Sequence, residues 1–307
     1  PLGEPPDVIH KNIHKITSPP SDCAEKEHAE THLRLLCQAG KYANWANLSG
    51  IDELVTAVGP VYTASMAFFR PTVSNGTLVV YQNGYASTYH GQYRYLKELV
   101  EEGYAVLAAN HIGYGDNYCY LPIEKRPWCD VGWGEFEVPL PMRVHFSPLV
   151  KAINYGLQQK GMSRVAMIGF SAGGWLTSVM AAVDARIVRS YPVAGFMPRF
   201  LQREGEKAPN QKYEPLFEAA SMLDQFILGA SGGASGPARR QTQFFNKFDR
   251  CCYAGERALI YEEAVRASAG VMENGSFDVV IDETHPRHKI SRWTFNKILA
   301  DLKQPDG

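Results

Sequence analysis

The chain has 307 residues, of which 45% are hydrophobic and 21% charged, which is the composition of a globular protein with a sizeable core. The formal net charge is −1, so no excess of basic residues favours a nucleic acid or an anionic membrane as partner. No apolar run reaches the roughly 18 residues that a transmembrane helix needs, so no integral membrane segment is predicted.

The pattern of residues changes about one sixth of the way along the chain. Residues 1–54 are polar and mixed, with a helical stretch near Glu25–Gln38, and are interpreted as an N-terminal extension packed on the core. Residues 55–307 alternate short apolar runs with helical patterns, which predicts a single domain. Because strands that alternate with helices form parallel sheets covered on both faces, we expect an α/β fold with a mostly parallel central β-sheet flanked by helices.

Apolar runs and turn residues predict the elements of this domain in chain order. Strands are expected at Val61–Phe69, Thr77–Gln82, Tyr104–Ala109, Arg164–Ile168, Ile187–Tyr191, Gln241–Phe245 and Phe277–Ile281. Helices are expected at Tyr93–Glu102, Pro148–Lys160, Ala172–Val183, Glu256–Ala269 and Arg292–Leu302. Asn75-Gly76 indicates a turn between the first two strands, as in a hairpin. Residues 117–144 and 196–240 interrupt the alternation and are interpreted as insertions, which either cover a substrate or decorate the surface.

The segment Gly169-Phe170-Ser171-Ala172-Gly173 is the strongest chemical signal in the chain. A predicted strand precedes it and a helix rich in small residues follows, which is the context of a nucleophile elbow. The glycines let strand and helix approach closely, and the serine hydroxyl stands exposed at a helix N-terminus, where developing negative charge is favoured. Ser171 is therefore predicted to be a catalytic nucleophile.

From about Val61 to Leu302, the order of these features resembles that of the α/β-hydrolase family. A second similar feature is Asn110-His111-Ile112-Gly113-Tyr114-Gly115-Asp116, which follows a predicted strand where many members carry Asp-x-x-Gly-x-Gly. Asn110 replaces the common aspartate at a position that is structural in the family, so catalysis is not put in doubt. The resemblance implies an α/β-hydrolase fold for residues 55–307, which would then be the catalytic domain.

The resemblance also implies an oxyanion hole with two backbone donors. The residue after the nucleophile supplies one donor, which is Ala172 N–H in this chain. The loop Asn83-Gly84-Tyr85 follows an early predicted strand and is similar to that of cutinase-like and dienelactone-hydrolase-like members. It implies that Tyr85 N–H is the second donor and that the Tyr85 ring lies beside the acyl group of the substrate.

The family's acid and base follow the last two strands. Asp249 stands where the acid is expected, and it would hold the tautomer of the base and stabilise its imidazolium. Two histidines compete for the base. The family's histidine lies about four or five residues past the last strand, which favours His285, whereas the stretch that begins at His288, His-Lys-Ile-Ser, also resembles other members. His285 is preferred and His288 is the alternative.

The six cysteines permit disulfides and favour an oxidising compartment, which predicts a secreted or periplasmic protein and leaves the cytoplasm open. Cys119 and Cys129 flank one short loop and are the most natural pair. Cys251 and Cys252 lie just beyond the predicted acid, where a bond to a distant partner is expected more readily than one between the two neighbours. No Cys or His spacing is typical of zinc, so no metal is expected.

Together, these features predict hydrolysis of a carboxylic ester through an acyl-enzyme on Ser171. A serine peptidase or amidase of the same fold is the alternative, and a non-catalytic binding relative is a remote one. No glycine-rich dinucleotide motif or Walker loop is present, so no cofactor is expected. The expected partner is a small-molecule or polymer-borne ester, and the oligomeric state is not predicted.

Overall fold

The computed structural model describes residues 6–10, 35, 38–58, 62–85, 87–112, 114, 117, 142–203, 213–272 and 274–305. The chain divides into two compact units. The first comprises Pro1–Glu135 and Leu140–Arg164, and the second comprises Phe136–Pro139 and Val165–Gly307.

The first unit contains a mixed sheet. Its described strands are β1 (Asp7–His10), β2 (Leu48–Val58), β3 (Tyr62–Pro71), β4 (Thr77–Gln82) and β5 (Ala105–Ala109). Their order is β1-β2-β3-β5-β4, antiparallel from β1 to β5, with β4 and β5 parallel. Its described α-helices are α1 (Tyr93–Glu101) and α2 (Arg143–Gln158).

The hairpin expected at Asn75-Gly76 is wrong, although the turn itself is present. Gly76 has φ 83°, a left-handed conformation that suits glycine. However, β3 pairs with β5 rather than with β4, so the turn carries the chain to a strand that is not its neighbour. The Gly76 carbonyl instead accepts a hydrogen bond of 3.0 Å from the Ser163 amide.

Strand β2 is absent from the sequence-based expectations, and the boundary expected at residue 54 falls inside it. Two acidic side chains interrupt its apolar run, yet both are buried. Asp52 pairs with Arg70, and Glu53 accepts a 2.9 Å hydrogen bond from Ser65. Because these partners compensate buried charge, a strand with a polar sequence lies within the sheet.

The second unit contains a parallel sheet covered by helices. Its strands are β6 (Arg164–Phe170), β7 (Ile187–Val193), β8 (Arg239–Asn246) and β9 (Gly275–Asp282). They lie in the order β6-β7-β8-β9, and each neighbouring pair is parallel. The described α-helices of this unit are α3 (Ala172–Val183), α4 (Glu214–Ala219), α5 (Met222–Ala230), α6 (Leu259–Val271) and α7 (Arg292–Leu302). The expected α/β architecture with a mostly parallel sheet is confirmed.

The turn from β6 into α3 depends on the absence of a side chain at Gly169. A Cβ atom there would lie 2.1 Å from both the Gly173 carbonyl oxygen and Thr177 Oγ1. One turn of α3 therefore rests directly on the backbone at the end of β6, and no larger residue fits without displacing the helix.

We expect Gly169→Ala to lower the free energy of unfolding by about 1–3 kcal/mol, because the added methyl group overpacks this contact. Thermal and urea unfolding of the two proteins measure the difference. Gly270→Ala is the matched control, since Gly270 lies near the end of α6 with open space around its Cα. The control should be neutral or more stable by up to about 1 kcal/mol, because alanine favours the helix. Equal stabilities of Gly169→Ala and wild type would contradict the close contact.

Candidate active site

Ser171 occupies the sharp turn between β6 and α3. Its backbone has φ 55° and ψ −122°, a strained conformation for a residue with a side chain. The Ser171 amide donates a 2.9 Å hydrogen bond to the Val193 carbonyl, and the Ser171 carbonyl accepts one of 2.8 Å from the Gly174 amide. These bonds hold the turn, and they leave the hydroxyl to project from the point where strand ends and helix begins.

Three side chains of the second unit form one hydrogen-bonded chain. His288 Nε2 lies 2.9 Å from Ser171 Oγ, and His288 Nδ1 lies 2.7 Å from Asp249 Oδ2. Since an ionised carboxylate only accepts, Nδ1 carries the proton and donates it to Asp249. In the uncharged form of the ring, Nε2 then has a lone pair that can accept a hydrogen bond from the serine hydroxyl.

The carboxylate of Asp249 is buried and held from several sides. Its Oδ1 accepts hydrogen bonds from the amides of Cys251 (2.8 Å) and Cys252 (3.4 Å), and its Oδ2 accepts one from Asn246 Nδ2 (3.2 Å). Burial alone would raise the pKa of Asp249, but the bonds from His288, Cys251 and Asn246 outweigh it and lower the pKa below its ordinary value. The carboxylate is therefore ionised at neutral pH.

The hydrogen bond of Ser171 is with His288, the alternative histidine, rather than with the preferred His285. His285 Nε2 lies 3.4 Å from Asp282 Oδ2, and its Nδ1 accepts a 3.1 Å hydrogen bond from the Arg287 amide. The ring is thus turned toward the carboxylate at the end of β9. His288 lies three residues further along the polypeptide, and it is the histidine that is hydrogen-bonded to Ser171 and Asp249.

Asn246, the last residue of β8, was not singled out from the sequence, although it links the two loops that carry Asp249 and His288. Besides Asp249, its Nδ2 lies 3.3 Å from the Arg287 carbonyl oxygen and 3.2 Å from the Lys289 carbonyl oxygen. These two carbonyls flank His288 on either side. The only sequence signal for this role is a polar residue directly after the apolar pair Phe244-Phe245.

Comparisons with known proteins identify the fold that carries this site. A sequence model described as "alpha/beta hydrolase fold" matches residues 77–197, which is less than half of the chain. Acetyl xylan esterase from Paenibacillus sp. R4 superimposes with a TM-score of 0.56 and 16% identity, over 85% of this chain and 85% of that one. The 307-residue chain has an α/β-hydrolase fold. The implied family resemblance is thereby confirmed at the level of the fold.

Two further solved structures share this hydrolase fold. Est1E from Butyrivibrio proteoclasticus has a TM-score of 0.53 and 12% identity, over 81% of this chain and 97% of that one. Esterase Pf2001 from Pyrococcus furiosus has a TM-score of 0.54 and 14% identity, over 84% of this chain and 93% of that one. At such identities the similarity speaks for the fold alone. No curated protein sequence is similar enough to the chain to count as a match.

Ala172 and Tyr85, the two residues of the expected oxyanion hole, belong to different units. Ala172 begins α3, so its amide has no acceptor within the helix. Tyr85 follows β4, and its ring lies 4.6 Å from that of His111 and 5.3 Å from that of Tyr114. Burial lowers the pKa of His111 to about 4, so the ring beside Tyr85 is neutral at pH 7. The role of Tyr85 N–H stays a prediction.

Cys251 and Cys252 form a disulfide with one another, which is the arrangement that the sequence made less expected. The expected pair Cys119 and Cys129 lies outside the described residues, as does the first insertion except for its two ends. The described residues of the second insertion include α4 and α5. None of the α-helices in the described part of the chain is long and apolar enough to cross a membrane.

Asp282, the last residue of β9, fixes both ends of the loop that carries His288. Its Oδ1 accepts hydrogen bonds from Thr284 N (2.8 Å) and Thr284 Oγ1 (2.6 Å) at the start of the loop. Its Oδ2 accepts bonds from Ser291, the N-cap of α7, and from Thr294 Oγ1 (2.7 Å). Burial alone would raise the pKa of Asp282, but the bonds from Ser291, Thr284 and Thr294 outweigh it and lower the pKa.

We expect Asp282→Asn to reduce the free energy of unfolding at pH 7 by about 1–3 kcal/mol, because an amide cannot accept all of these bonds. The pKa of Asp282 is lower in the folded than in the unfolded chain, so the ionised carboxylate favours folding. This contribution is complete above the unfolded-state pKa of about 3.9 and is lost as the pH falls through the folded-state value.

Urea unfolding of wild type and Asp282→Asn between pH 7 and pH 3 measures this difference. Asp278→Asn is the control, since Asp278 lies on the same strand with a side chain that is 45% exposed. The gap between wild type and Asp282→Asn should begin to narrow below about pH 4, while the control stays within about 0.5 kcal/mol of wild type throughout. A gap that is constant from pH 7 to pH 3 would contradict the ionic origin of the stabilisation.

Proposed function

We propose that the protein hydrolyses a carboxylic ester through an acyl-enzyme on Ser171, with His288 as general base and Asp249 as the partner of His288. One observation carries the proposal. A serine in the strained turn from strand to helix is hydrogen-bonded to a histidine, and that histidine is hydrogen-bonded to a buried carboxylate. These are the three roles that acyl transfer to a serine requires.

In the first step, Ser171 Oγ attacks the carbonyl carbon of the ester while His288 Nε2 takes the hydroxyl proton. The 2.9 Å contact between these atoms suits a direct proton transfer. Asp249 stays ionised, holds the proton on Nδ1 and stabilises the imidazolium that forms. Asn246 and the amides of Cys251 and Cys252 keep that carboxylate in place without taking its charge.

The carbonyl oxygen of the ester becomes an oxyanion during this attack. The Ala172 amide, at the N-terminus of α3, offers one hydrogen bond to it, and the helix dipole adds a favourable field. Tyr85 N–H is proposed as the second donor, on the strength of the resemblance in the loop Asn83-Gly84-Tyr85. His288 then gives its proton to the leaving alcohol, and a water molecule repeats the sequence to release the acid.

An ester, rather than an amide, is favoured as substrate by the names of two of the similar structures reported above, an acetyl xylan esterase and the esterase Pf2001. This argument rests on the fold and not on the site, because one fold supports several chemistries. The acyl and alcohol groups of the substrate are left open. The mechanism needs neither a metal ion nor a cofactor.

We expect Ser171→Ala to lower kcat/KM for p-nitrophenyl acetate by about 10³-fold or more, because no other group replaces the attacking oxygen. Initial rates across a range of substrate concentrations give the comparison. Ser268→Ala is the matched control, since the Ser268 hydroxyl only donates to the Ala264 carbonyl of its own helix α6. The control should keep wild-type activity. Comparable rates in Ser171→Ala and wild type would show that Ser171 is not the nucleophile.

The two histidines are distinguished by a second pair of variants. We expect His288→Ala to lower kcat by about 10³-fold or more, with circular dichroism unchanged, because the serine loses its base. His285→Ala should stay within about threefold of wild type, since its ring nitrogens lie against Asp282 and the Arg287 amide. The reverse ranking would assign the base to His285.

A further inference from the structure

A second chemical group lies directly against the proposed base. Ligand atoms of Cys251, Cys252 and His288, one from each residue, all lie within 4.8 Å of one another. Among the described residues, no other set of three or more Cys, His, Asp or Glu side chains comes this close together. The proposed ester hydrolysis uses the backbone amides of the two cysteines but has no use for their sulfur atoms.

The two sulfur atoms are joined in a disulfide that solvent can reach. Cys251 is exposed and Cys252 is half-buried. A dithiol reductant attacks one sulfur as a thiolate and releases the other, and its second thiol then displaces the mixed disulfide. The exchange transfers two electrons and two protons, which leaves two thiols on the protein and one disulfide on the reductant.

We propose that reduction of the Cys251–Cys252 disulfide creates a zinc-binding site formed by both thiolates and His288, and that the bound ion switches off the proposed ester hydrolysis. This inference rests on the proposed function only for its effect on activity. The binding itself depends on the cluster alone. Each thiol releases its proton to solvent as Zn²⁺ binds, so one ion displaces two protons.

The donor set and its spacing suit Zn²⁺. Thiolate sulfur and imidazole nitrogen are its preferred protein ligands, at about 2.3 Å and 2.0–2.1 Å, which puts the ligand atoms of a tetrahedral site about 3.5–3.8 Å apart. All three ligand atoms lie within 4.8 Å of one another, which exceeds that spacing by about 1 Å at most. Binding therefore requires the two sulfur atoms to separate after reduction and His288 to move toward them by about 1 Å or less. Three protein ligands leave the fourth position for a water molecule.

Asp249 prepares the cluster for a metal ion in two ways. It accepts from His288 Nδ1, and a carboxylate behind a histidine is the usual outer partner of zinc-binding imidazoles. It also holds the amides of Cys251 and Cys252, which keeps the two cysteines beside the ring after their sulfur bond opens. The arrangement that serves the proposed base therefore also favours metal coordination.

Zinc on His288 is incompatible with its role as base at either ring nitrogen. At Nε2, the ion takes the lone pair that faces Ser171 Oγ. At Nδ1, the ion displaces Asp249 and forces the proton onto Nε2, which leaves the serine without a base. In both cases the effect should appear in kcat and be reversed when a chelator removes the ion.

The binding experiment uses protein reduced with dithiothreitol, desalted without oxygen and titrated with Zn²⁺ against a chromophoric chelator. Reduced wild type should bind one Zn²⁺ more per chain than the reduced double variant Cys251→Ser/Cys252→Ser. The double variant keeps the other four cysteines, so the difference between the two proteins excludes any zinc that those four bind. Reduced Ser171→Ala should bind like wild type. Equal stoichiometry in wild type and the double variant would overturn the site.

The third ligand is tested in the same titration. Reduced His288→Ala should bind the additional Zn²⁺ about 100-fold or more weakly than wild type, because loss of a direct ligand costs at least as much as loss of an outer partner. Reduced His285→Ala is the control and should bind like wild type. Equal affinities in the two histidine variants would exclude His288 as a ligand and overturn the proposal as stated.

Activity is then measured with and without Zn²⁺ on reduced and oxidised protein, each normalised to its own metal-free rate. Reduced wild type should lose at least tenfold in kcat at saturating Zn²⁺ and recover with EDTA, whereas oxidised wild type and the reduced double variant should not respond. Zinc binding without loss of activity would refute the proposed inhibition of ester hydrolysis by zinc. If wild type shows no esterase activity at all, the proposed function fails while the binding results still decide the site.

Discussion

The site depends first on the strained backbone at Ser171. A conformation with φ 55° and ψ −122° costs about 1–3 kcal/mol for a residue with a Cβ, so the surrounding structure has to compensate it. Two glycines leave the necessary space. Gly169 admits the first turn of α3, and a Cβ at Gly195 would lie 2.1 Å from the Ser171 carbonyl oxygen. Hydrogen bonds to Val193 and from Gly174 then hold the turn. The position of the hydroxyl follows from these packing constraints.

The proposed acid and base, Asp249 and His288, are positioned by the geometry of parallel strands. Strands β8 and β9 are parallel neighbours, so the loops that follow them leave from the same edge of the sheet. Each strand ends in a buried polar residue that organises the loop after it. Asn246 at the end of β8 joins the two loops, and Asp282 at the end of β9 fixes the start and the end of the second. His288 therefore reaches Ser171 from a loop that is held at several points.

Local signals in the sequence were sufficient for part of this structure. The bounds of α3 and α7 follow from small or amphipathic residues between clear breaks, and the motif around Ser171 is a local turn with a steric explanation. Strand β2 was missed because Asp52 and Glu53 look like surface residues until Arg70 and Ser65 are seen beside them. Partners of this kind are distant in sequence and become apparent only in the fold.

The choice between His285 and His288 shows the same limit. The preference for His285 counts residues from the end of β9 and takes no account of the path of the loop that follows it. In this loop, the hydrogen bonds from Thr284 and Ser291 to Asp282 set the path of the chain and bring the later histidine to the serine. Sequence spacing likewise makes a disulfide between the neighbours Cys251 and Cys252 the less expected arrangement. The fold brings the loops after β8 and β9 together and places this disulfide beside Asp249 and His288.

The central claim is that Ser171 is an activated nucleophile, and covalent labelling with a fluorophosphonate tests it most directly. Such a probe forms a stable bond with a serine oxygen only where a base removes the proton and the site stabilises the tetrahedral product. Peptide mass spectrometry should find the label on Ser171, at one equivalent per chain in native protein, and no label after unfolding in urea. A native protein that stays unlabelled at Ser171, or carries the label on another residue, would contradict the account.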